Sequence, residues 1–215
     1  MAITLWGRSS SANVQKVRWA LGEFGLAYEH VPLGGKYGGN ADPAYLAMNP
    51  NGLVPTLRDD SLVLWESHAI LRYLAATYST GALWPESTTA RAVVDQWTDW
   101  TATTFQPAWI GVFWSVVRTP KAQHNPAAIA KWLAEMERCL SIMEGRLSDR
   151  PYLGGETLTY ADIAAGVAMY RWTTMEIERQ LHPAVADWHL RLKGSSAFGE
   201  AVEVDYSELA GRLTF

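Results

Sequence analysis

Three short stretches carry residues whose types and spacing could do chemistry. In the first, Ser9-Ser10-Ser11-Ala12-Asn13 follows an apolar run, Ile3 to Trp6, that Gly7 closes. It precedes Val14, Val17, Leu21 and Phe24 at three- and four-residue spacing. That pattern predicts a buried strand, a polar loop and then a helix ending at Gly25. The loop's hydroxyls and the Asn13 carboxamide would therefore stand at a helix N-terminus, where unpaired N–H groups and the helix dipole favour negative charge. Glu66-Ser67 repeats the arrangement between a strand over Ser61 to Trp65 and a helix with Ile70, Leu71 and Leu74 on one face. A carboxylate would be drawn to that helix start, Ser67 could add a hydroxyl donor, and Glu66 could face a neighbouring ammonium. Ser67 would serve equally well as an ordinary N-cap, and the two uses are compatible. The third stretch, Val54-Pro55, stands at the mouth of a strand over Val54 to Arg58, just after the turn signal Asn49-Pro50-Asn51-Gly52. Its plainest use is a trans proline guarding a strand start.

The elements that must position these stretches follow from the same periodicities. A second strand over Ala27 to Val31 ends at Pro32 and a flexible run from Gly34 to Asn40. A short helix over Pro43 to Met48 leads to the Asn-Pro-Asn-Gly turn, and Asp59-Asp60 turns between the last two strands. The order is βαβ, a connecting helix, then ββα. The glycine run lacks the spacing and the following Lys-Ser/Thr of a phosphate loop, and His68 on the third helix reads as structural or surface. From Arg91 onward helical periodicity dominates. Residues 90–117 carry Trp97, Trp100, Phe105, Trp109, Phe113 and Trp114, with Pro107 expected to kink or break the helix. Residues 131–147 are amphipathic through Leu133, Met136, Leu140, Met143 and Leu147. Thr159 and Asp162 have capping-box spacing before the apolar Ile163 to Met169, which makes Asp162 a folding residue whose loss costs about 1 kcal/mol or more.

Composition divides the chain in the same place and excludes several classes. The protein has 215 residues, 48% of them apolar and 19% charged, enough for a sizeable core in one or two domains. Eight of the 11 tryptophans lie at or after Trp84, and the net charge of −4 falls wholly beyond Thr80. A domain boundary is expected near Ser79-Thr80-Gly81, with Trp84 to Ser87 as linker, giving domains over 1–80 and 87–215. A pI near 5.7 argues against a nucleic-acid partner. The single cysteine, Cys139, rules out a disulfide framework, a CxxC redox pair and a thiolate-rich metal site. No His/Asp/Glu cluster has metal-ligand spacing. Neither a signal peptide nor an apolar run near the ~20 residues of a membrane span is present, so a cytoplasmic protein without membrane attachment is expected.

Order and motifs together resemble the cytosolic glutathione S-transferases, in particular bacterial, serine-type, theta-like members. The resemblance rests on Ser11-Ala12-Asn13-Val14-Gln15-Lys16-Val17, on Asn49-Pro50-Asn51-Gly52-Leu53-Val54-Pro55-Thr56-Leu57, and on Leu64-Trp65-Glu66-Ser67-His68-Ala69-Ile70. It extends over essentially the whole chain. The implied fold is α/β plus all-α, a thioredoxin-like N-terminal domain that binds glutathione followed by an all-helical domain that carries the acceptor pocket. It further implies a cis Val54-Pro55 bond whose Val54 main chain pairs with the cysteinyl backbone of the tripeptide. Glu66 and Ser67 would hold the ammonium and carboxylate of the γ-glutamyl end. Lys36 could reach the glycine carboxylate, although a solvated loop lysine is the plainer reading. A free thiol ionises near ~8.5; serine cannot take its proton but can hydrogen-bond the thiolate. The family's serine-type motif assigns that donor to Ser11, with Asn13 and Ser10 as competitors because register in a serine run is ambiguous. Trp109, Phe113, Trp114 and Trp172 are candidates for the acceptor pocket. The implied activity is conjugation of glutathione to an apolar electrophile by a detoxifying homodimer. The alternative is a non-catalytic ligand-binding or interaction protein of the same fold. Dehalogenation, isomerisation and a thiol reductase or peroxidase also occur among relatives, the last disfavoured by the absence of a loop cysteine.

Overall fold

A computed structural model describes residues 3–79, 81 and 83–214. The N-terminal Met1-Ala2 and the Thr80 of the expected boundary lie outside the described residues. Four strands, β1 (Ile3–Trp6), β2 (Tyr28–Val31), β3 (Thr56–Asp59) and β4 (Leu62–Trp65), alternate with α1 (Ala12–Glu23), α2 (Pro43–Leu46) and α3 (Ser67–Tyr78). The helices α4 (Thr88–Trp100), α5 (Gln106–Phe113), α6 (Pro126–Leu147), α7 (Tyr160–Thr174), α8 (Pro183–Lys193) and α9 (Ser196–Val202) follow. The chain forms two compact units. Residues up to Ser79 join Ala197–Val204 in one, and residues from 81 to Ser196 join Asp205–Thr214 in the other.

The first unit is thioredoxin-like. Its sheet has the order β2-β1-β3-β4. The β1 and β2 strands are parallel, which requires the α1 crossover between them, and β3 runs antiparallel to both β1 and β4. Leu5 and Leu57 of the sheet, Val14, Val17 and Leu21 of α1, and Ile70, Leu71 and Leu74 of α3 are buried together. Several expected boundaries shift by a residue or two, and two of the shifts have a clear cause. Strand β3 begins at Thr56 rather than Val54, because Pro55 has no N–H for the ladder. The turn before β4 is centred on Asp60, at φ 50°, so Asp59 ends the strand and its carboxylate accepts hydrogen bonds from Tyr73 and Tyr78.

The second unit is helical. Of the kink or break expected at Pro107, the break does not occur. A π-helical turn over Thr101–Phe105 joins α4 to α5, and Pro107 falls in the first turn of α5, where its ring and missing N–H are tolerated. A second π turn, Trp114–Arg118, ends the run. Helix α6 starts at Pro126, five residues ahead of the periodic stretch, because Asn125 caps it: its Oδ1 accepts from the N–H of Ala127 at 3.0 Å and of Ala128 at 3.2 Å. Gly111 lets α5 approach α6 closely, since a Cβ there would lie 2.2 Å from the Trp132 ring. At the head of α7 the fully buried Asp162 accepts four hydrogen bonds, from Leu153 N (2.7 Å), Thr159 N (2.9 Å), Thr159 Oγ1 (2.8 Å) and Trp188 Nε1 (3.0 Å). No helix among the described residues is long and apolar enough to cross a membrane.

Candidate glutathione site

The serine loop is held in the first unit by its neighbours on both sides. Gly7, at φ 148°, admits the close approach of Val14 and Val54; a Cβ there would meet Val14 Cγ2 at 2.4 Å. The loop then turns into α1, with Gln15 Nε2 bonded to Ser9 O at 3.1 Å. Ser11 is the N-cap residue. Its carbonyl accepts from Gln15 N at 2.9 Å, yet its hydroxyl makes no cap bond to the helix it precedes. Ser10 and Ser11 are both buried.

A small cavity of about 50 Å³ lies beside this loop, and it collects several of the sequence candidates. Asn13, Val54, Pro55, Glu66 and Ser67 all line it, as do Asn49, Asn51 and Trp65, which sequence reading did not single out. The Val54–Pro55 bond is cis. The Asn49 side chain braces the loop, with Nδ2 donating to Leu53 O at 2.8 Å and to Thr56 Oγ1 at 3.2 Å. Asn49 was legible as part of a turn, but its inward side chain was not. Ser67 is not the N-cap of α3: that place falls to Glu66, at φ 70° and ψ 111°. A positive φ is unusual for a residue with a Cβ, and such strain persists where surroundings impose it, often at binding sites. Ser67 thus presents a first-turn N–H and hydroxyl to the cavity at the positive end of the α3 dipole. Ser10, Ser11 and Lys36 are not in the lining; Lys36 is exposed on its loop, 5.3 Å from the Tyr37 ring.

Behind the cavity lies a polar cluster between α1 and α3. Lys16, fully buried, places Nζ 3.1 Å from Asn13 Oδ1 and 2.9 Å from His68 Nε2. Ser67 Oγ donates to the same Asn13 oxygen at 3.5 Å. Burial lowers the Lys16 pKa to about 7, against an opposing pull from the Glu66 carboxylate. Burial, followed by the charges of Lys16 and Arg72, lowers that of His68 to about 2, so the imidazole is neutral, and its Nε2 accepts where it faces the Lys16 ammonium. His68 is structural, as expected, but it is an interior partner of Lys16.

In the second unit Trp109 and Phe113 are buried edge-to-face at 5.9 Å, with the Arg171 guanidinium 4.9 Å from the Phe113 ring. Trp114 is more exposed, with Arg118 over its ring at 4.3 Å. Trp172 instead lines a cavity of about 230 Å³ among α6, α7 and α8, which none of the other three aromatic candidates lines.

Comparison with known proteins bears on the whole chain. Residues 1–76 match the family model "Glutathione S-transferase, N-terminal domain", and residues 126–191 match "Glutathione S-transferase, C-terminal domain". The chain is 38% identical over 207 residues to the glutathione S-transferase GstB of Escherichia coli, covering 95% of this chain and 100% of the relative. It is 32% identical over 197 residues to the disulfide-bond oxidoreductase YfcG of the same organism, covering 88% of this chain and 90% of that protein. Among solved structures, a theta class glutathione S-transferase of Xanthomonas axonopodis pv. citri with glutathione bound superposes with a TM-score of 0.91. Its sequence identity is 44%, over 94% of this chain and 98% of that one. A maize glutathione S-transferase in complex with an atrazine glutathione conjugate superposes with a TM-score of 0.85 at 26% identity, over 94% and 96% of the two chains. With both of its domains matched and relatives aligned nearly end to end, the chain belongs to the glutathione S-transferase family, and glutathione is its cosubstrate.

Proposed function

We propose that this transferase conjugates the glutathione thiolate to an apolar electrophile and that Ser11 donates the hydrogen bond that holds the thiolate. The observation that carries this reading is the Ser11 hydroxyl, which stands at the N-terminus of α1 without being used as a cap. A hydroxyl donor and the helix dipole both favour the thiolate over the thiol, and each unit of pKa lowering corresponds to about 1.4 kcal/mol. The S–H proton leaves to solvent. A sulfur lone pair then forms the S–C bond while the electrophile's leaving group departs or its π bond takes up the electrons. Asn13 and Ser10 are the alternative donors. The Val54 main chain beside Pro55 pairs with the cysteinyl backbone, Ser67 takes the γ-glutamyl carboxylate and Glu66 its ammonium, with Lys36 reaching toward the glycine carboxylate. Residues 1–80, with Ala197–Val204 packed onto them, form the glutathione domain, and the rest of residues 87–215 supplies the acceptor pocket, with Trp109, Phe113, Trp114 and Trp172 as its aromatic candidates. The atrazine conjugate held by the maize relative supports an apolar acceptor.

Ultraviolet titration of the thiolate in the glutathione complex tests the central claim. Ser11→Ala is expected to keep glutathione bound but to lose the thiolate at neutral pH, with kcat falling about tenfold for each unit by which the thiol pKa rises. Unchanged turnover would move the role to Asn13 or Ser10. The likeness to YfcG favours a second reading, glutathione-dependent disulfide reduction. Since Cys139 is buried and burial raises its pKa, the thiols in that reaction would come from glutathione. Turnover of a small disulfide exceeding that of every electrophile tried would favour it. We further propose a cytoplasmic homodimer; analytical ultracentrifugation is expected to give twice the monomer mass of 23.9 kDa, and a single species at that mass would refute it.

A further inference from the structure

We infer that Lys16 is a positioning residue for glutathione, orienting the Asn13 carboxamide so that its Nδ2 rather than its Oδ1 faces the bound tripeptide. The inference rests on glutathione occupying the cavity that Asn13, Val54, Glu66 and Ser67 share. It does not depend on which group stabilises the thiolate.

The argument is one of donors and acceptors. Below pH 7, where Lys16 is charged, its ammonium only donates, so the Asn13 atom 3.1 Å from Lys16 Nζ is the amide oxygen. Ser67 Oγ–H reaches the same Oδ1 at 3.5 Å, a weak contact that adds a second donor on that side. Lys16 thereby holds the carbonyl oxygen from the protein interior, and Nδ2 makes no hydrogen bond to a described residue while Asn13 lines the cavity. The ammonium is itself aimed by His68 Nε2, 2.9 Å away on α3, so the contact ties the first turn of α1 to the first turn of α3. From the α3 side Glu66 and His68 face Lys16 and Arg72 acts on His68 in turn, whereas Asn13 on α1 is neutral. A lysine at this depth, 2% exposed, touches no ligand in the cavity directly; it acts through the amide it holds. The amide then offers two N–H donors, suited to a carboxylate, a carbonyl or a thiolate of the tripeptide and unsuited to its ammonium.

The test is a double-mutant cycle read by calorimetric binding of S-methylglutathione at pH 6, where Lys16 is charged and the probe has no thiol to ionise. Asn13→Ala is expected to weaken binding about tenfold, the worth of one hydrogen bond to a charged or polar partner. Lys16→Met is expected to weaken it severalfold, and Lys16→Arg to recover most of that loss. In the Asn13→Ala background Lys16→Met should change the dissociation constant by less than about twofold. Full multiplicative effects of the two substitutions would overturn the inference, because a lysine that merely supports the fold would cost the same with or without the Asn13 amide. Should Lys16→Met fail to fold, the pH profile of S-methylglutathione binding decides. Affinity of the wild type is expected to fall severalfold from pH 6 to pH 8 as Lys16 loses its proton, with no such fall in Asn13→Ala, and an equal fall in both overturns the inference. Because a thioether is the probe, loss of the Ser11 role in thiolate formation would leave these outcomes unchanged.

Discussion

Lys16 and His68 show how far a side chain's meaning depends on depth. In an unfolded chain a lysine ionises near 10.5 and a histidine near 6.5, but between α1 and α3 burial moves them to about 7 and about 2. Stability must then depend on pH in a definite sense. Between pH 7 and 9 the unfolded chain keeps the Lys16 proton while the folded chain has released it, so unfolding takes up a proton and rising pH disfavours it. Wild type is expected to gain stability across that window relative to Lys16→Met, whose side chain has nothing to titrate. Denaturant midpoints of the two proteins at pH 7, 8 and 9 check this. A wild-type-minus-variant difference that stays flat or falls with pH would mean that Lys16 keeps an ordinary pKa. Neither residue could be read as interior from the sequence, because lysine and histidine on helices are usually solvated. The available signal was that Lys16 sits among Val14, Val17, Trp19, Ala20 and Leu21, a helix apolar on more than one face.

At the level of elements, legibility followed whether a local rule was sufficient. The β1-α1-β2 and β3-β4-α3 order came from periodicity and turn chemistry alone, and the pairing of Thr159 with Asp162 came from capping-box spacing. The start of α6 was missed because its Asn125-Pro126 signal precedes the amphipathic stretch it serves. The π turns before and after α5 have no sequence rule at all; they show only in the backbone. Asp162 exceeds what its motif implies. A cap needs one or two hydrogen bonds, whereas Asp162 also accepts from Leu153 N in the preceding loop and from Trp188 Nε1 on α8. Asp162→Ala would leave three buried N–H groups without their acceptor, so it is expected to cost about 3 kcal/mol or more rather than the ~1 kcal/mol of a surface cap. Asp162→Asn should not rescue it, since an amide N–H₂ would face two donors. Equilibrium urea denaturation measures both, and a cost near 1 kcal/mol for the alanine variant would reduce Asp162 to an ordinary cap.

For the molecule as a whole, the informative feature is where the chain ends its last long excursion. After α8 the backbone passes Gly194-Ser195 and returns α9 to the first unit, and no composition shift marks that return. Phe198 packs edge-on against Trp19 of α1 with ring centroids 4.9 Å apart, both fully buried, and Arg18 Nη2 donates to Glu200 O at 3.2 Å. Gly22 makes room for the approach, because a Cβ there would lie 2.8 Å from that of Ala197. The first unit therefore completes its core only when residues nearly 200 positions from its first strand are in place. Its stability should respond to a substitution that sequence position alone would assign to the other unit. Phe198→Ala removes an aromatic ring from a closed site and is expected to cost about 3–4 kcal/mol. The loss should appear as faster amide exchange in α1 and in strand β1, with α6 and α7 much less affected. Exchange that instead rises in α6 and α7 while α1 keeps its protection would show that α9 stabilises the helical unit. The first unit would then hold its core without the chain's return.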